Sequence, residues 1–430
     1  MAGERFELDA IVVAGNDLSR VTIAGLSARE RAVRVARKIG AVRVVIVEKP
    51  GDLAGWQRER PLLVIRADQL VHTPLVQPLV AQLPTDGLVY SADVNSSTYA
   101  GAFIATGSVG DSAVAALAGG ETDATFVARV PAAIAVPHGD IARHPIGTPR
   151  ERRDAHRLLY RILIKPQDNA ITRYLYRPVS FPLTRLLAWT PITPNQISYG
   201  VAILVAIGCW LTASASMTRV IAGTVIVLAA SYLDCCDGEI ARIKLLSSRL
   251  GAWIDTIVDE LSSVGYTVAL GWHCHLYFGP SYFGHLGVDP WLAACAIDIV
   301  TFGWSIYCIY YNLIVAVGSA NSQDYTQRFE VVPGGAPNAV RLKPAQAVAK
   351  ARELPPAVEW IATYLPYVVR RDFISWMAVV FAVLHLTHLS FGLLSAGAAI
   401  TFVVVTIDHI KLRRLRRSLV RAGHIVESPT

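Results

Sequence analysis

The chain has 430 residues, of which 53% are apolar and only 17% charged, with a mean hydropathy of +0.40. A soluble domain carries about 25% charged residues, so these figures exclude a disordered chain and point to a membrane protein with a soluble part. The formal net charge of +7 suits contact with anionic lipid or phosphate. The basic clusters flank apolar runs instead of interleaving with aromatics on a soluble face, so no nucleic-acid partner is expected.

Residues 1–20 hold no apolar core of signal-peptide length, and the first domain is expected to stay in the cytoplasm. Residues 7–15 read as a buried strand ending in a turn. Ser27 and Glu30 have capping-box spacing, with a helix over 28–39 to follow. Residues 42–48 and 62–66 are further strands, and 88–91, 103–106 and 125–130 are additional candidates. Strands alternating with helices predict an open α/β domain over residues 1–140, with a mostly parallel sheet.

The segments V-V-A-G at 12–15 and L-L-V-I-R-A-D at 62–68 resemble a nucleotidyltransferase domain of the sugar-nucleotide type. In that family a Gly-rich loop with a basic residue cradles the nucleotide phosphates, and an Asp after a later strand holds Mg²⁺. Here Gly15 is followed by Asn16-Asp17-Leu18-Ser19-Arg20, without the second loop glycine or the proline-lysine pair beyond it. Asp68 stands at the place of the metal-holding Asp. Two readings stay open: a degenerate domain with a structural or docking role, and a working cytidylyltransferase that makes a CDP-alcohol in the same chain.

Residues 141–195 change character to a linker and a basic juxtamembrane helix. Arg173, Arg177 and Arg185 alternate with apolar residues, and Tyr174, Tyr176 and Trp189 are interleaved, as in a segment lying in the membrane interface. Apolar spans follow at about 197–214, 219–236, 252–278, 290–317, 372–391 and 393–411. Each is long enough for a hydrocarbon core of about 30 Å, so an all-α polytopic domain of about six transmembrane helices is expected over 196–415. A basic tail, 416–430, closes the chain. Pro and Gly in the loop 318–371 argue against a continuous helix there. Cys209, Cys235, Cys236, Cys274, Cys295 and Cys308 show no disulfide framework. The His273-Cys274-His275 run lacks a second ligand pair at zinc spacing.

The stretch 234–259 reads D-C-C-D-G-E-I-A-R-I-K-L-L-S-S-R-L-G-A-W-I-D-T-I-V-D. Asp234 and Asp237 are three apart, and Asp255 and Asp259 four apart, so each pair shares one face of a helix. Two acidic pairs facing each other make a hard, oxygen-rich site suited to Mg²⁺ or Mn²⁺. Gly238 and Gly251 keep crowding low where two helices approach. The order D-x-x-D-G-x-x-A-R, eight residues, G-x-x-x-D-x-x-x-D resembles, at every position, the signature of the CDP-alcohol phosphotransferase family of integral membrane enzymes. Thr193-Pro194-Asn195 matches a segment found after that family's juxtamembrane helix.

That resemblance implies displacement of CMP from a CDP-alcohol by the hydroxyl of a second alcohol, with two divalent cations. It implies Asp234, Asp237 and Asp255 as metal ligands, and Asp259 as general base and second-metal contact. Gly238, Ala241, Arg242 and Gly251 would line the CDP-alcohol site with Asp234 and Asp237. Arg173, Arg185, Lys244 and Arg249 are candidates for an acceptor pocket. The product is a phospholipid or a polyol phosphodiester, and a homodimer in the membrane lipid is expected. Asp298 and Asp408 are intramembrane acids outside the motif.

Lys and Arg gather before Ile197, in the turn at 243–250, in the loop 318–371 and after Lys411, while 279–289 has none. The positive-inside rule then puts both termini and the aspartates on the cytoplasmic side. A transporter would place its acids near the midplane and echo one half in the other. A membrane scaffold would not need the intact motif.

Overall fold

The computed structural model describes residues 7–94, 96–164, 170–284, 287–319, 324–336, 338–345 and 371–428. Residues 165–169 of the expected interfacial segment lie outside the described residues. So do residues 346–370 of the expected loop, with Lys350, Arg352 and Arg370. The chain divides into two compact units. One comprises Met1–Asp168 with Thr184–Ile192 and Glu239–Leu246; the other comprises Asn169–Leu183, Thr193–Gly238 and Ser247–Thr430.

The first unit is an α/β domain. Its strands are β1 (Leu8–Val13), the short pair β2 (Thr22–Ile23) and β3 (Leu26–Ser27), β4 (Ala41–Val47), β5 (Leu62–Arg66), β6 (Gln69–Val71), β7 (Gly87–Ala92), β8 (Tyr99–Thr106), β9 (Ile134–Pro137) and β10 (Arg143–Pro145). Six of them form one sheet in the order β4-β1-β5-β8-β7-β9. The pairs β1–β4, β1–β5 and β7–β9 are parallel. The sheet is therefore mostly parallel, as expected, but β8 runs antiparallel to both β5 and β7. The connection from β7 to β8 is a short turn, and a parallel pairing would need a long crossover. Leu8, Ala10, Ile11 and Val12 are fully buried, as in a strand covered on both faces.

Helix α1 (Ala28–Ile39) starts where the capping box places it, with the Ser27 hydroxyl accepting from the Glu30 amide over 3.3 Å. It ends on Gly40 at φ 117°, the left-handed cap that glycine adopts without strain. After the single turn α2 (Gln77–Val80) come α3 (Gly107–Ala118) and α4 (Asp123–Arg129). The last corrects an expected strand at 125–130. Thr122 caps the helix by accepting from the Thr125 amide, and Phe126 and Val127 enter the core together. A six-residue apolar run carries too little period to separate the two forms. Helix α5 (Pro149–Arg161) follows a full Thr148/Glu151 capping box.

Beyond α6 (Arg177–Ala188), the second unit carries α7 (Pro194–Thr212), α8 (Met217–Ile243), α9 (Arg249–Phe278), α10 (Pro290–Asn312), α11 (Arg371–Val383) and α12 (Thr387–Arg421); the end of α8 belongs to the first unit. Helices occupy all six expected spans, and among the described residues four are long and apolar enough to cross a membrane: α7, α8, α10 with its extension to Val317, and α12. The expected count of six is not confirmed among the described residues, and two helices account for the difference. Asp255, Asp259, Glu260, His273 and His275 make α9 too polar. Helix α11 has 13 described residues, about 20 Å against a core of about 30 Å. The final break, expected between the spans 372–391 and 393–411, falls at 384–386, with His385 at φ 62°.

Gly208 of α7 and Gly223 of α8 face each other so closely that a Cβ on Gly208 would lie 2.9 Å from the Gly223 carbonyl oxygen, the small-residue packing that lets membrane helices approach. Asp298 accepts from the Ser395 hydroxyl over 2.6 Å, and Asp408 from the Tyr325 hydroxyl over 3.1 Å. His273 is buried between the Ser214 carbonyl and the Thr387 hydroxyl, a packing role. All six cysteines are free. Part of the expected loop forms a hairpin of β11 (Phe329–Pro333) and β12 (Ala339–Pro344), joined in parallel by β13 (Ile425–Glu427). The basic stretch expected as a tail continues α12 to Arg421 before reaching β13.

Candidate active site

The D-x-x-D pair lies near the C-terminal end of α8, and the second pair in the first turns of α9. Two helix caps and one close helix contact set this geometry. Ser248 caps α9, its hydroxyl accepting from the Gly251 amide over 2.9 Å. Thr193 caps α7 in a box with Gln196, and Pro194 takes the first helical position. A Cβ on Gly251 would stand 3.0 Å from both Asn195 Oδ1 and Ser248 Oγ, so the glycine is needed for the close fit of α9 against the start of α7.

Asp234, Asp237 and Asp255 each present a carboxylate oxygen within 4.8 Å of the other two; Asp237 is buried and the other two half-buried. Three convergent carboxylates among apolar helices carry strong mutual repulsion, and a hard divalent cation would neutralise it. The donor set fits Mg²⁺ or Mn²⁺. Asp259 stands outside that trio, one turn further along α9, and lines a small cavity of about 60 Å³ with Asp234, Ser231, Ser262 and Ser263. Sequence reasoning missed Ser198, whose hydroxyl donates to Asp237 Oδ2 over 2.6 Å. A lone serine in an apolar helix gives no signal of that role.

The other sequence candidates are distributed as follows. Gly238 continues α8 directly after Asp237, and Ala241 and Arg242 lie in its last turn, within the segment Glu239–Leu246 of the first unit. Lys244 is buried, and its ammonium donates to the carbonyls of Thr190 (2.6 Å) and Ile192 (3.3 Å). The Arg185 guanidinium lies 4.8 Å from the centre of the Tyr160 ring. Arg173 and Arg249 are exposed in the second unit.

The α/β domain holds a cleft at the C-terminal ends of β1 and β5, about 380 Å³ in volume and lined by Gly15, Asn16, Lys49, Arg66, Asp68 and Asp123 among others. The shortened loop is closed on itself: Asn16 accepts from the Leu18 amide, and Ser19 donates to the Ala14 carbonyl. Arg66 pairs with Asp68 and lies 4.0 Å from Asp123, which also accepts from the Tyr99 hydroxyl over 2.8 Å. Burial raises the pKa of the Asp123 carboxyl, opposed by Tyr99 and Arg66. The Arg66 guanidinium thus lies within ion-pair range of both carboxylates.

Residues 191–384 match the CDP-alcohol phosphatidyltransferase family. The chain is 37% identical over 116 residues to a protein named "Bifunctional IPC transferase and DIPP synthase" from Thermococcus kodakarensis, covering 27% of this chain and 26% of that one. It is 35% identical over 103 residues to an archaetidylinositol phosphate synthase of Pyrococcus horikoshii (22% of this chain, 50% of that one). It is 36% identical over 89 residues to a CDP-diacylglycerol–inositol 3-phosphatidyltransferase of Drosophila melanogaster (21% and 36%). The matched stretches thus span between about a quarter and a half of these relatives. With the aspartate cluster inside the matched region, the chain carries, over residues 191–384, a domain of the CDP-alcohol phosphatidyltransferase family.

Proposed function

We propose that the protein transfers a substituted phosphate from a CDP-alcohol to a second alcohol, releasing CMP and forming a phosphodiester. The convergence of Asp234, Asp237 and Asp255 within 4.8 Å carries this reading. These three hold Mg²⁺ or Mn²⁺, with Asp259 contributing to a second ion. The cations supply neutralisation of the pyrophosphate charge during displacement of CMP. Asp259 takes the proton from the attacking hydroxyl, for which the acceptor must be held within hydrogen-bond reach of its carboxylate. Gly238, Ala241 and Gly251 leave room for the nucleotide, and Arg242 pairs with a phosphate. Lys244 and Arg185 are engaged elsewhere, so exposed Arg173 and Arg249 are the stronger acceptor-side candidates.

The names of two relatives include inositol, which favours an inositol-type polyol or its phosphate as one substrate, with a lipid alcohol as the other. The active site and both termini face the cytoplasm, by the distribution of Lys and Arg, and the protein works as a homodimer. The test is CMP release by purified protein in detergent with Mg²⁺, across a panel of CDP-diacylglycerol, a CDP-polyol and matching acceptors. One donor–acceptor pair releases CMP in the wild type and not in Asp255→Asn. Equal release by both proteins rejects the reading.

A second reading rests on the cleft with Lys49, Arg66 and Asp68 and on the word "Bifunctional" in a relative's name: the α/β domain makes the CDP-alcohol from CTP. Pyrophosphate release from CTP and a polyol phosphate, lost in Asp68→Asn, supports it; no release leaves the domain a structural role.

A further inference from the structure

Arg31 is the largest fully buried side chain of the protein's described residues. No carboxylate lies within ion-pair distance of it among the described residues. Its guanidinium donates instead to two backbone carbonyls, Ile243 over 2.8 Å and Ile23 over 3.2 Å. Arg34, one turn later on α1, donates to the carbonyl of Lys244 over 2.8 Å. Ile243 is the last residue of α8, the helix that carries Asp234 and Asp237. The final carbonyls of a helix have no partner within it and carry its negative dipole end, so two guanidiniums there satisfy both needs.

The same helix end is tied down in other ways. Leu245, at φ 55°, is buried in the core that includes Ala32, Val35 and Ala36 of α1. The Thr184 hydroxyl donates to Glu239 Oε2 over 2.6 Å. Lys244 donates to Thr190 and Ile192, as described above. Gly25, at φ 77°, has no room for a Cβ beside the Ala188 carbonyl. All these contacts lie within the first unit, which includes Glu239–Leu246. Asp237 is two residues before that segment on the same continuous helix. A buried cation is costly unless its donors are hydrogen-bonded, and here two of its nitrogens are spent on the end of α8 and on Ile23.

We propose that Arg31 is a positioning residue for the metal site. It caps α8 from within the α/β domain and fixes the helical register of the Asp234–Asp237 turn. The folded α/β domain thereby has a role in phosphotransfer whether or not it turns over nucleotide. This inference rests on the metal role proposed above.

The experiment uses the full-length protein in detergent, with Arg31→Met, Arg34→Met and an exposed control, Arg29→Ala. Amide hydrogen exchange is read first, because it needs neither metal nor substrate. Faster exchange over residues 234–246 in Arg31→Met, with Arg29→Ala as wild type, is expected. Mn²⁺ binding by electron paramagnetic resonance is read second. It should weaken about tenfold in Arg31→Met, as for other residues that support a metal ligand, and about threefold in Arg34→Met. If Arg31→Met does not fold, Arg34→Met decides by the same two readouts. Faster exchange confined to residues 20–60, or Mn²⁺ binding unchanged in folded variants, overturns the proposal. A wild type that binds no Mn²⁺ rejects the metal reading itself, and exchange at 234–246 then still tests the cap alone.

Discussion

Ser198 donates its hydroxyl to Asp237 Oδ2 over 2.6 Å, joining α7 to the buried member of the aspartate trio. A hydrogen bond to a charged group is worth about 1.5–3 kcal/mol, and this one holds the Asp237 carboxylate in place beside Asp234 and Asp255. Ser198→Ala should raise the Mg²⁺ concentration for half-maximal CMP release about tenfold, with kcat at saturating Mg²⁺ falling less. A Mg²⁺ titration of CMP release checks it.

The separation of Asp259 from the trio gives a second prediction. Asp259→Asn should keep Mn²⁺ binding within a few-fold of wild type and lower kcat about 10²–10⁴-fold, the range for a lost general base. Asp255→Asn should lose both. Paramagnetic titration alongside CMP release separates the two outcomes.

The contact between Gly208 and Gly223 leaves no space for a side chain: a Cβ on Gly208 would lie 2.6 Å from Val227 Cγ2. Gly208→Val should lower stability by about 1–3 kcal/mol through overpacking. Gly392→Ala, with nothing within 4 Å of the new methyl, should be neutral or slightly stabilising in its helix. Thermal unfolding in detergent compares them.

His72 in the α/β domain is pushed down to a pKa of about 4, first by burial and then by the charges of Arg31 and Lys38. Its unfolded value is near 6.5. Between these values the unfolded chain binds the extra proton, so the histidine's contribution is fully present above pH 6.5 and is lost as pH falls towards 4. The loss is on the order of 3 kcal/mol. Thermal melts of the full-length protein at pH 7 and pH 4.5 should show a smaller acid shift in His72→Gln than in wild type.

Several parts of this architecture were legible because they depend on neighbours in the chain. The strand at Leu62–Arg66 and the helix from Ala28 to Ile39 follow from an apolar run and a Ser27/Glu30 cap. The three- and four-residue spacings of the aspartates place each pair on one helical face, wherever the helices go. The strand expected at 125–130 failed for the opposite reason. Its apolar run is too short to show a period, and the Thr122 cap with the burial of Phe126 and Val127 decided for helix. The reversed strand β8 likewise follows from a short connection, not from its composition.

By itself the sequence determined the membrane character, the α/β class of the first domain and the helical face shared by each aspartate pair, since composition, period and spacing are local quantities. Only the tertiary structure decided that Asp234, Asp237 and Asp255 converge, that Ser198 supports Asp237 from 39 residues away, and that Arg31 closes a helix end 212 residues further on. Such contacts leave no periodic trace in the chain. A buried arginine reads as a surface one until the backbone carbonyls it serves have been brought to it.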